Sequence, residues 1–369
     1  MSASYATAEG TQKYINKFPD FQKAGHFRDF MGLKISSIGL GTYLGQPNEQ
    51  DDAFYMEAIQ SALLSGCNLI DSAINYRCMR SERNIGQALK TLIAQGKITR
   101  EEVVICTKGG FIPFDGAQPA NPAQYFHDQY IKPGICAPDD IVAGCHCMTP
   151  AYIRNQVERS LQNLGLDCID LYYLHNPEMQ LDEVSRDEFL FRLDLAFKEL
   201  EKLVQEGKIR AYGTATWNGY RVPLGSQDYL SLHDVLKTAE NAGGTAHHFK
   251  AIQLPYNLGM AEAFGPRNQT MGAQTLSILQ AAYANDLAVF TSASILQSKL
   301  SRNLPPVIAE TFTGLKTDAQ RAIQFVRSSK GVTAALVGMK RKEHVEENLK
   351  AGLAAPADWD KVQGLFSGK

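Results

Sequence analysis

The chain holds 369 residues, 44% hydrophobic and 21% charged, with a formal net charge of -2, an ordinary balance that supplies a full apolar core. Its lysines and arginines are scattered and no apolar run nears the ~20 residues of a membrane span, so neither nucleic acid nor membrane is an expected partner. Seven cysteines without paired spacing, and an N-terminus too polar for a secretory signal, point to a cytoplasmic location.

Residues 1–25 read as an N-terminal extension, and 26–36, HFRDFMGLKIS, as a hairpin turning at Met31-Gly32. From residue 37 onward strand-like and helix-like stretches alternate. The strand candidates are 37–41, 68–71, 103–107, 168–174, 209–214, 250–254, 287–291 and 333–337. Short apolar runs bounded by turn residues suit strands buried on both faces of a parallel sheet. Helical patterns fall near 51–65, 81–95, 149–164, 193–204, 228–242, 271–285, 317–328 and 342–353. In the third of these, Thr149 and Pro150 read as cap and first helical residue. Ile153, Val157, Leu161 and Leu164 then form one stripe, and Gly165 stops it. Eight strands alternating with eight helices favour an α/β fold, a closed (β/α)8 TIM barrel, over an open doubly wound sheet. No linker separates the strands, so residues 1–369 read as a single domain ending in a short tail, 354–369.

Two segments break the alternation, 109–148 after the third strand and 293–316 after the seventh. Loops of that length are uncommon unless they are functional or disordered. The first carries Phe111, Phe114, Tyr125, Phe126 and Tyr130 and reads as an active-site insertion whose aromatics wall the pocket. A surface loop or an oligomer contact is the alternative. Cys145-His146-Cys147, with Cys136 and His127 upstream, offers soft ligands, but no second Cys/His pair follows at zinc spacing and no metal is expected.

In a parallel barrel the carboxyl ends of all strands share one face, where active sites lie. The second strand ends in Asp71 with Tyr76 in the loop beyond, the third is followed by Lys108, and the fourth ends in His175. Tyrosine, with a reference pKa near ~10, is a weak acid, and an ammonium beside it is expected to lower that value. Asp71 supplies the counter-charge that keeps a buried Lys108 protonated, and His175 orients a carbonyl or shares the proton. Such a set contributes typically ~10²–10⁴ in rate by proton transfer. It holds no nucleophile, so an electron pair must come from a cofactor. Gly39, Gly41 and Gly45 lie in GLGTYLG, which does not open a helix as a dinucleotide-binding G-x-G-x-x-G does.

GLGTY at 39–43, IDSAINYRCMRSERNIGQAL at 70–89, ICTKGG at 105–110, IDLYYLH at 169–175, IQLPYN at 252–257 and EENL at 346–349 run in the order of the aldo-keto reductase family. The chain resembles that family from about residue 26 to 353, with LHNPE and TKGG leaning to its aldose and sugar dehydrogenase-like branch. The resemblance implies that Asp71, Tyr76, Lys108 and His175 form a catalytic tetrad. It also implies an NADP(H) cofactor and a small-molecule carbonyl or sugar substrate. By the same resemblance Gly41, Thr42, Tyr43 and Asp71 sit beside the nicotinamide. Ala215 and Thr216 replace the usual Ser-Asn pair, Gln253 is its retained partner, and Ser292 stands where an aromatic often stacks. After the eighth strand, Gly338-Met339 replaces a common Lys-Ser. Lys340 and Arg341 then fall near the 2′-phosphate, and His344, Glu347 and Asn348 near the adenine. A nucleotide-sensing regulatory subunit with slow turnover, such as the potassium-channel beta subunits of this family, is the alternative function. A metal-dependent barrel hydrolase would require paired histidines at strand ends, which are missing from the sequence. Oligomeric state is not legible.

Overall fold

The alternating apolar runs close on themselves in the computed structural model, which describes residues 4–366. Eight strands form the barrel: β1 (Ile38–Gly41), β2 (Leu69–Asp71), β3 (Val104–Gly109), β4 (Leu171–His175), β5 (Tyr212–Ala215), β6 (Phe249–Pro255), β7 (Ala288–Ser292) and β8 (Ala334–Gly338). They pair in parallel, in chain order, with β8 returning to β1. The main covering helices are α1 (Glu49–Leu64), α2 (Arg80–Ala94), α3 (Pro150–Leu164), α4 (Arg186–Gln205), α5 (Leu232–Gly243), α6 (Ile278–Ala284), α7 (Asp318–Ser328) and α8 (Lys342–Leu349).

Side chains alternate across each strand, and here the alternation separates two cores. Leu69, Val104, Cys106, Leu171, Tyr173, Ala251, Phe290 and Leu336 pack inside the barrel. Ile70, Ile105, Tyr172, Leu174, Ile252, Val289 and Val337 pack against the helices. The parity sets the site. Counting by twos from Leu69, Cys106 and Tyr173 brings Asp71, Lys108 and His175 to the interior side at the carboxyl ends of β2, β3 and β4.

The N-terminal hairpin forms as its sequence suggests. Phe27–Phe30 pairs antiparallel with Leu33–Ser36, and the turn residues Met31 (φ 52) and Gly32 (φ 77) both take left-handed conformations, the twist-compatible geometry of a two-residue hairpin loop. Phe30 meets the interior Phe290 edge-on at 5.4 Å, so the hairpin stops the amino end of the barrel.

Three local expectations change. Thr149 occupies the cap of α3, but its side chain makes no capping bond; Pro150 and the αL Gly165 (φ 63) bound the helix instead. The expected helix 271–285 begins only at Ile278, because Gln269–Met271 pairs with Gln274–Leu276 around Gly272 (φ +60). Ser277 then caps α6 by accepting from the Gln280 N–H. The helix expected at 342–353 ends at Leu349 and finishes in one tighter turn, Lys350–Leu353.

Part of the insertion is folded, with a short helix at Pro122–Phe126, a further turn at His127–Ile131 and an antiparallel bridge between Phe111 and His146. The tail carries a helix, Trp359–Gly364, whose Trp359 packs on Phe264 at 5.0 Å. Residues 1–3 and 367–369, at the outer ends of the expected extension and tail, lie outside the described residues. No helix among the described residues is long and apolar enough to cross a membrane.

Candidate active site

The carboxyl ends of the strands surround a cavity of about 570 Å³. Lys108 is fully buried beneath it, and its Nζ donates to Asp71 Oδ2 at 2.5 Å and to the Ser72 carbonyl at 2.7 Å. Asp71 Oδ1 accepts from Gln253 Nε2 at 2.8 Å. The ammonium lies 5.1 Å from the centroid of the Tyr76 ring, which faces His175 edge-on at 5.8 Å and Tyr43 at 5.0 Å. A buried charge is tolerated only when paired and hydrogen-bonded, and both conditions hold for Lys108.

Burial pulls the Lys108 ammonium down, but Asp71 and Tyr76 outweigh it and the net shift is upward, so the lysine stays charged. Burial also raises the Tyr76 phenol above its ordinary value. This corrects the expected lowering: Lys108 does act downward, but desolvation of the phenolate is the larger effect. Burial, followed by Lys108 and His146, holds His175 well below its usual value, so its imidazole is neutral.

The insertion reaches the site through two residues. Phe111 lines the cavity and meets His175 edge-on at 4.8 Å. His146 Nε2 donates to the His175 carbonyl at 2.8 Å, while its Nδ1 accepts from Gln180 Nε2 at 2.9 Å. Gly110 (φ +136) allows this approach, since a Cβ there would lie 2.8 Å from His146 Nε2. The other insertion aromatics do not wall the cavity as expected. Tyr130 is buried between Phe126 and Tyr152 and accepts from Arg159 of α3 at 3.1 Å, and Phe114 packs on Tyr125. Tyr130 thus ties the insertion to Tyr152 and Arg159 of α3, while Phe114, Tyr125 and Phe126 pack within the insertion itself.

Of the residues singled out in the sequence, Gly41, Thr42, Tyr43, Asp71, Tyr76, His175, Thr216, Gln253 and Ser292 line the cavity, with Lys108 below. Met339 does not, because strand parity sends its side chain into the core under the helices. Lys340, Arg341, His344, Glu347 and Asn348 also lie outside the cavity lining. Lys340 pairs with Asp51 at 2.9 Å and Arg341 lies over the Phe54 ring at 4.4 Å. In the Cys-His-Cys stretch, His146 is engaged with His175 and Gln180, while His127 pairs with Asp128. Among the described residues no group of three or more His, Cys, Asp or Glu is placed to hold a metal ion.

A family model for the aldo/keto reductase family matches residues 37–222. The chain belongs to this family. An Escherichia coli (strain K12) relative named NADH-specific methylglyoxal reductase is 31% identical over 188 residues. Aldo-keto reductase family 4 member C11 of Arabidopsis thaliana is 28% identical over 199 residues. These matches take in 50% and 53% of this chain and 49% and 50% of the relatives, so the chain spans about half the length of the curated relatives it matches. Among solved structures, the holo form of an aldo-keto reductase from Bacillus halodurans superposes with a TM-score of 0.62 at 20% identity, covering 92% of this chain and 95% of the other. A glycerol dehydrogenase from Gluconobacter oxydans gives 0.61 at 21%, covering 93% and 94%. An aldo/keto reductase from Klebsiella pneumoniae in complex with NADP and acetate gives 0.59 at 21%, covering 90% and 91%. At these identities the structural likeness speaks for the fold.

The aldo/keto reductase cavity also uses residues that strand ends alone do not reveal. Asn75, Asn176, Trp217, Ile295 and Gln297 line it from the loops. One signal was available: Trp217 is one of two tryptophans in the chain and lies two residues past the end of β5.

Proposed function

We propose that this aldo/keto reductase is an NADP(H)-dependent oxidoreductase. It would reduce a small aldehyde or ketone, or oxidise a sugar-like alcohol in reverse, with Tyr76 as the proton donor. The observation that carries the reading is the buried Asp71–Lys108 pair beneath a phenol that faces the cavity. The cavity fits a nicotinamide carboxamide and ribose: Asn75 Oδ1 and Thr216 Oγ1 are buried there without a hydrogen-bond partner among the described residues. The named Klebsiella complex with NADP supports the same cofactor class.

A bound nicotinamide supplies the hydride that carbonyl reduction requires. The chain supplies the proton and its setting. As negative charge grows on the carbonyl oxygen, the Tyr76 phenol transfers its proton to that oxygen. The Lys108 ammonium stabilises the phenolate left behind, and Asp71 keeps the ammonium in place. Neutral His175 offers a hydrogen-bonding ring beside the same oxygen without adding charge. With the cofactor bound, Thr216 and Asn75 would hold the amide and ribose, and Lys340, now paired with Asp51, and Arg341 would supply positive charge for the 2′-phosphate. Cavity walls that exclude water strengthen the Lys108–Tyr76 coupling by lowering the local dielectric.

The test is NADPH oxidation against a panel of aldehydes, ketones and sugars, with NADPH binding followed by fluorescence. Tyr76→Phe is expected to lower kcat by on the order of 10²–10⁴ with NADPH affinity nearly intact, since the phenol acts in the transition state. Full activity in the Tyr76→Phe variant would remove the proton-donor assignment, and failure to bind NADPH or NADH would remove the reductase reading.

A further inference from the structure

Trp217 stands 46% exposed at the cavity mouth, yet both its backbone N–H and its carbonyl are held by buried side chains. Its amide N–H donates to Glu178 Oε1 at 2.7 Å, and those of Asn218 and Gly219 donate to the same oxygen at 3.1 and 3.4 Å. Its carbonyl accepts from Arg221 Nε at 3.0 Å and Nη2 at 2.8 Å, and Arg221 Nη1 is held by Glu262 at 2.9 Å. Glu178 and Arg221 are 4% and 7% exposed. Burying ionisable groups costs free energy, and here two of them converge on the backbone of one exposed aromatic residue.

The clamp begins beside the chemistry. Glu178 lies three residues beyond His175, in a tight turn at Pro177–Asp182. Just before that turn, Asn176 (φ 48) donates its N–H to the Ala215 carbonyl at 2.6 Å. The loop after β4 is thereby stitched to the loop after β5. His175 and the backbone of Trp217 are held relative to each other, and Trp217 lines the cavity. If the clamp only completed a turn, a small polar residue at position 217 would serve as well.

The lining narrows what the ring meets. Tyr43, Tyr76, Phe111 and Ile295 give apolar or aromatic surface, and Asn75 and Gln297 give neutral polar groups. Among the described residues no lysine or arginine lines the cavity, and Asp71 is the sole carboxylate there. A carboxylate or phosphate on a substrate would find no cation in that wall. A flat apolar or sugar-ring face would stack on the indole.

Building on the reductase reading, we infer that Trp217 determines specificity for neutral carbonyl compounds with a flat or ring-bearing body, and that Glu178 is the positioning residue that fixes it. Two readouts test this. Trp217 and Trp359 are the only tryptophans in the chain, so in a Trp359→Phe background the indole of Trp217 reports alone. Glu178→Ala in that background should red-shift the emission and raise acrylamide quenching at least two-fold, with unchanged far-UV dichroism. Glu178→Gln, which keeps an acceptor oxygen of the same shape, should recover most of the loss and serves where the alanine variant is unstable. In kinetics, Trp217→Ala should raise KM for 4-nitrobenzaldehyde about ten-fold relative to methylglyoxal, with kcat changed less than three-fold. The unmodified protein should prefer 4-nitrobenzaldehyde to 4-carboxybenzaldehyde. Emission and quenching untouched by Glu178→Ala would overturn the clamp, and an unchanged KM ratio in Trp217→Ala would overturn the specificity role. No turnover of any carbonyl by the unmodified protein would overturn the reductase reading itself, and the fluorescence comparison would still decide whether Glu178 holds Trp217.

Discussion

The floor of the barrel mouth and the segment that follows β8 both carry lysine–aspartate pairs, but the two pairs are built for different ends. On the floor, Lys108 and Asp71 are 0% and 5% exposed and sit 2.5 Å apart, with Gln253 and the Ser72 carbonyl taking up the remaining hydrogen bonds. On the rim, the Lys340 side chain is 30% exposed and meets Asp51 at 2.9 Å. A buried pair that loses one member leaves an uncompensated charge, at a cost of roughly 3–5 kcal/mol. A pair on the surface is worth about 0–1 kcal/mol. The floor is therefore set in advance of any ligand. On the rim Asp51 is itself buried, at 6% exposed, and keeps the Gln46 N–H as a second partner, so exchanging Lys340 to another anion costs more than at an open surface pair and less than on the floor.

The sharpest way to break this contrast is Lys108→Met. We expect kcat to fall by on the order of 10³-fold and the protein to lose about 3–5 kcal/mol of stability, because Asp71 is left buried beside a thioether. The double variant Asp71→Asn/Lys108→Met removes both charges; it should regain most of the stability in denaturant unfolding and none of the activity. If Lys108→Met alone were as stable as the parent, the floor would not be the preorganised element described here.

The contrast also has a pH form. Burial places Tyr76 above its ordinary value and His175 well below its own, so neither changes charge near neutrality. The kcat for reduction should stay level from about pH 6 to 9, since a donor must be protonated and Tyr76 remains so. Glu178 differs. Burial pushes its carboxyl from 4.5 up to about 7, against the pull of the backbone N–H groups that include those of Trp217, Asn218 and Gly219. Between those values the folded state binds the proton more readily than the unfolded state, so the stability from this group is greatest at low pH and declines as pH rises through 4.5 to about 7. Arg221 and Tyr220 are the groups that sense the Glu178 charge from the loop after β5, and Arg221 is itself paired with Glu262. Glu178→Gln should therefore gain about 2 kcal/mol on the parent between pH 5 and 8, read from urea midpoints. A pH-independent difference would place the titration elsewhere.

How much of this was legible in the sequence follows the same division. Asp71, Lys108 and His175 could be found because strand parity and strand ends are written in a period of two, and the core enforces it. The hairpin at Met31-Gly32 was legible because its turn requires left-handed backbone at both residues. The side chain of Met339 lies away from the cavity for the converse reason: one step along the pleat reverses the face. Trp217 and its Glu178 clamp were not legible, because they depend on loop-to-loop bonds between residues 39 apart, and no local period encodes such a bond. The net direction of the Tyr76 shift was missed because the sequence supplies the neighbouring charge but not the depth of burial.

On the rim, Lys340→Ala should cut the preference for NADPH over NADH by about ten-fold, within the ~1.5–3 kcal/mol of a charge-assisted contact once the exchange with Asp51 is allowed for. Fluorescence titrations of both cofactors measure it. Equal dissociation constants in the unmodified protein would show that the rim does not recognise the phosphate at all.

The smallest effect concerns the insertion, where the comparison can be made within one loop. Phe111 touches the His175 ring and lines the cavity, whereas Phe114 and Tyr125 pack on each other and Tyr130 packs on Tyr152 of α3. Truncating Phe111 removes both a wall of the cavity and an edge contact that orients His175. Aromatic pairs of this kind are worth about 0.5–1.5 kcal/mol beyond their buried area, so Phe111→Ala should lower kcat/KM roughly five- to ten-fold. Phe114→Ala removes a comparable ring with no connection to the cavity. It should leave kcat/KM within two-fold of the parent and appear only as a modest fall in thermal midpoint. Equal losses in activity from the two truncations would mean that the whole insertion closes over the substrate. A loss confined to Phe111→Ala means that the insertion serves the site only at its two ends, through Phe111 and His146, and that its middle stabilises α3.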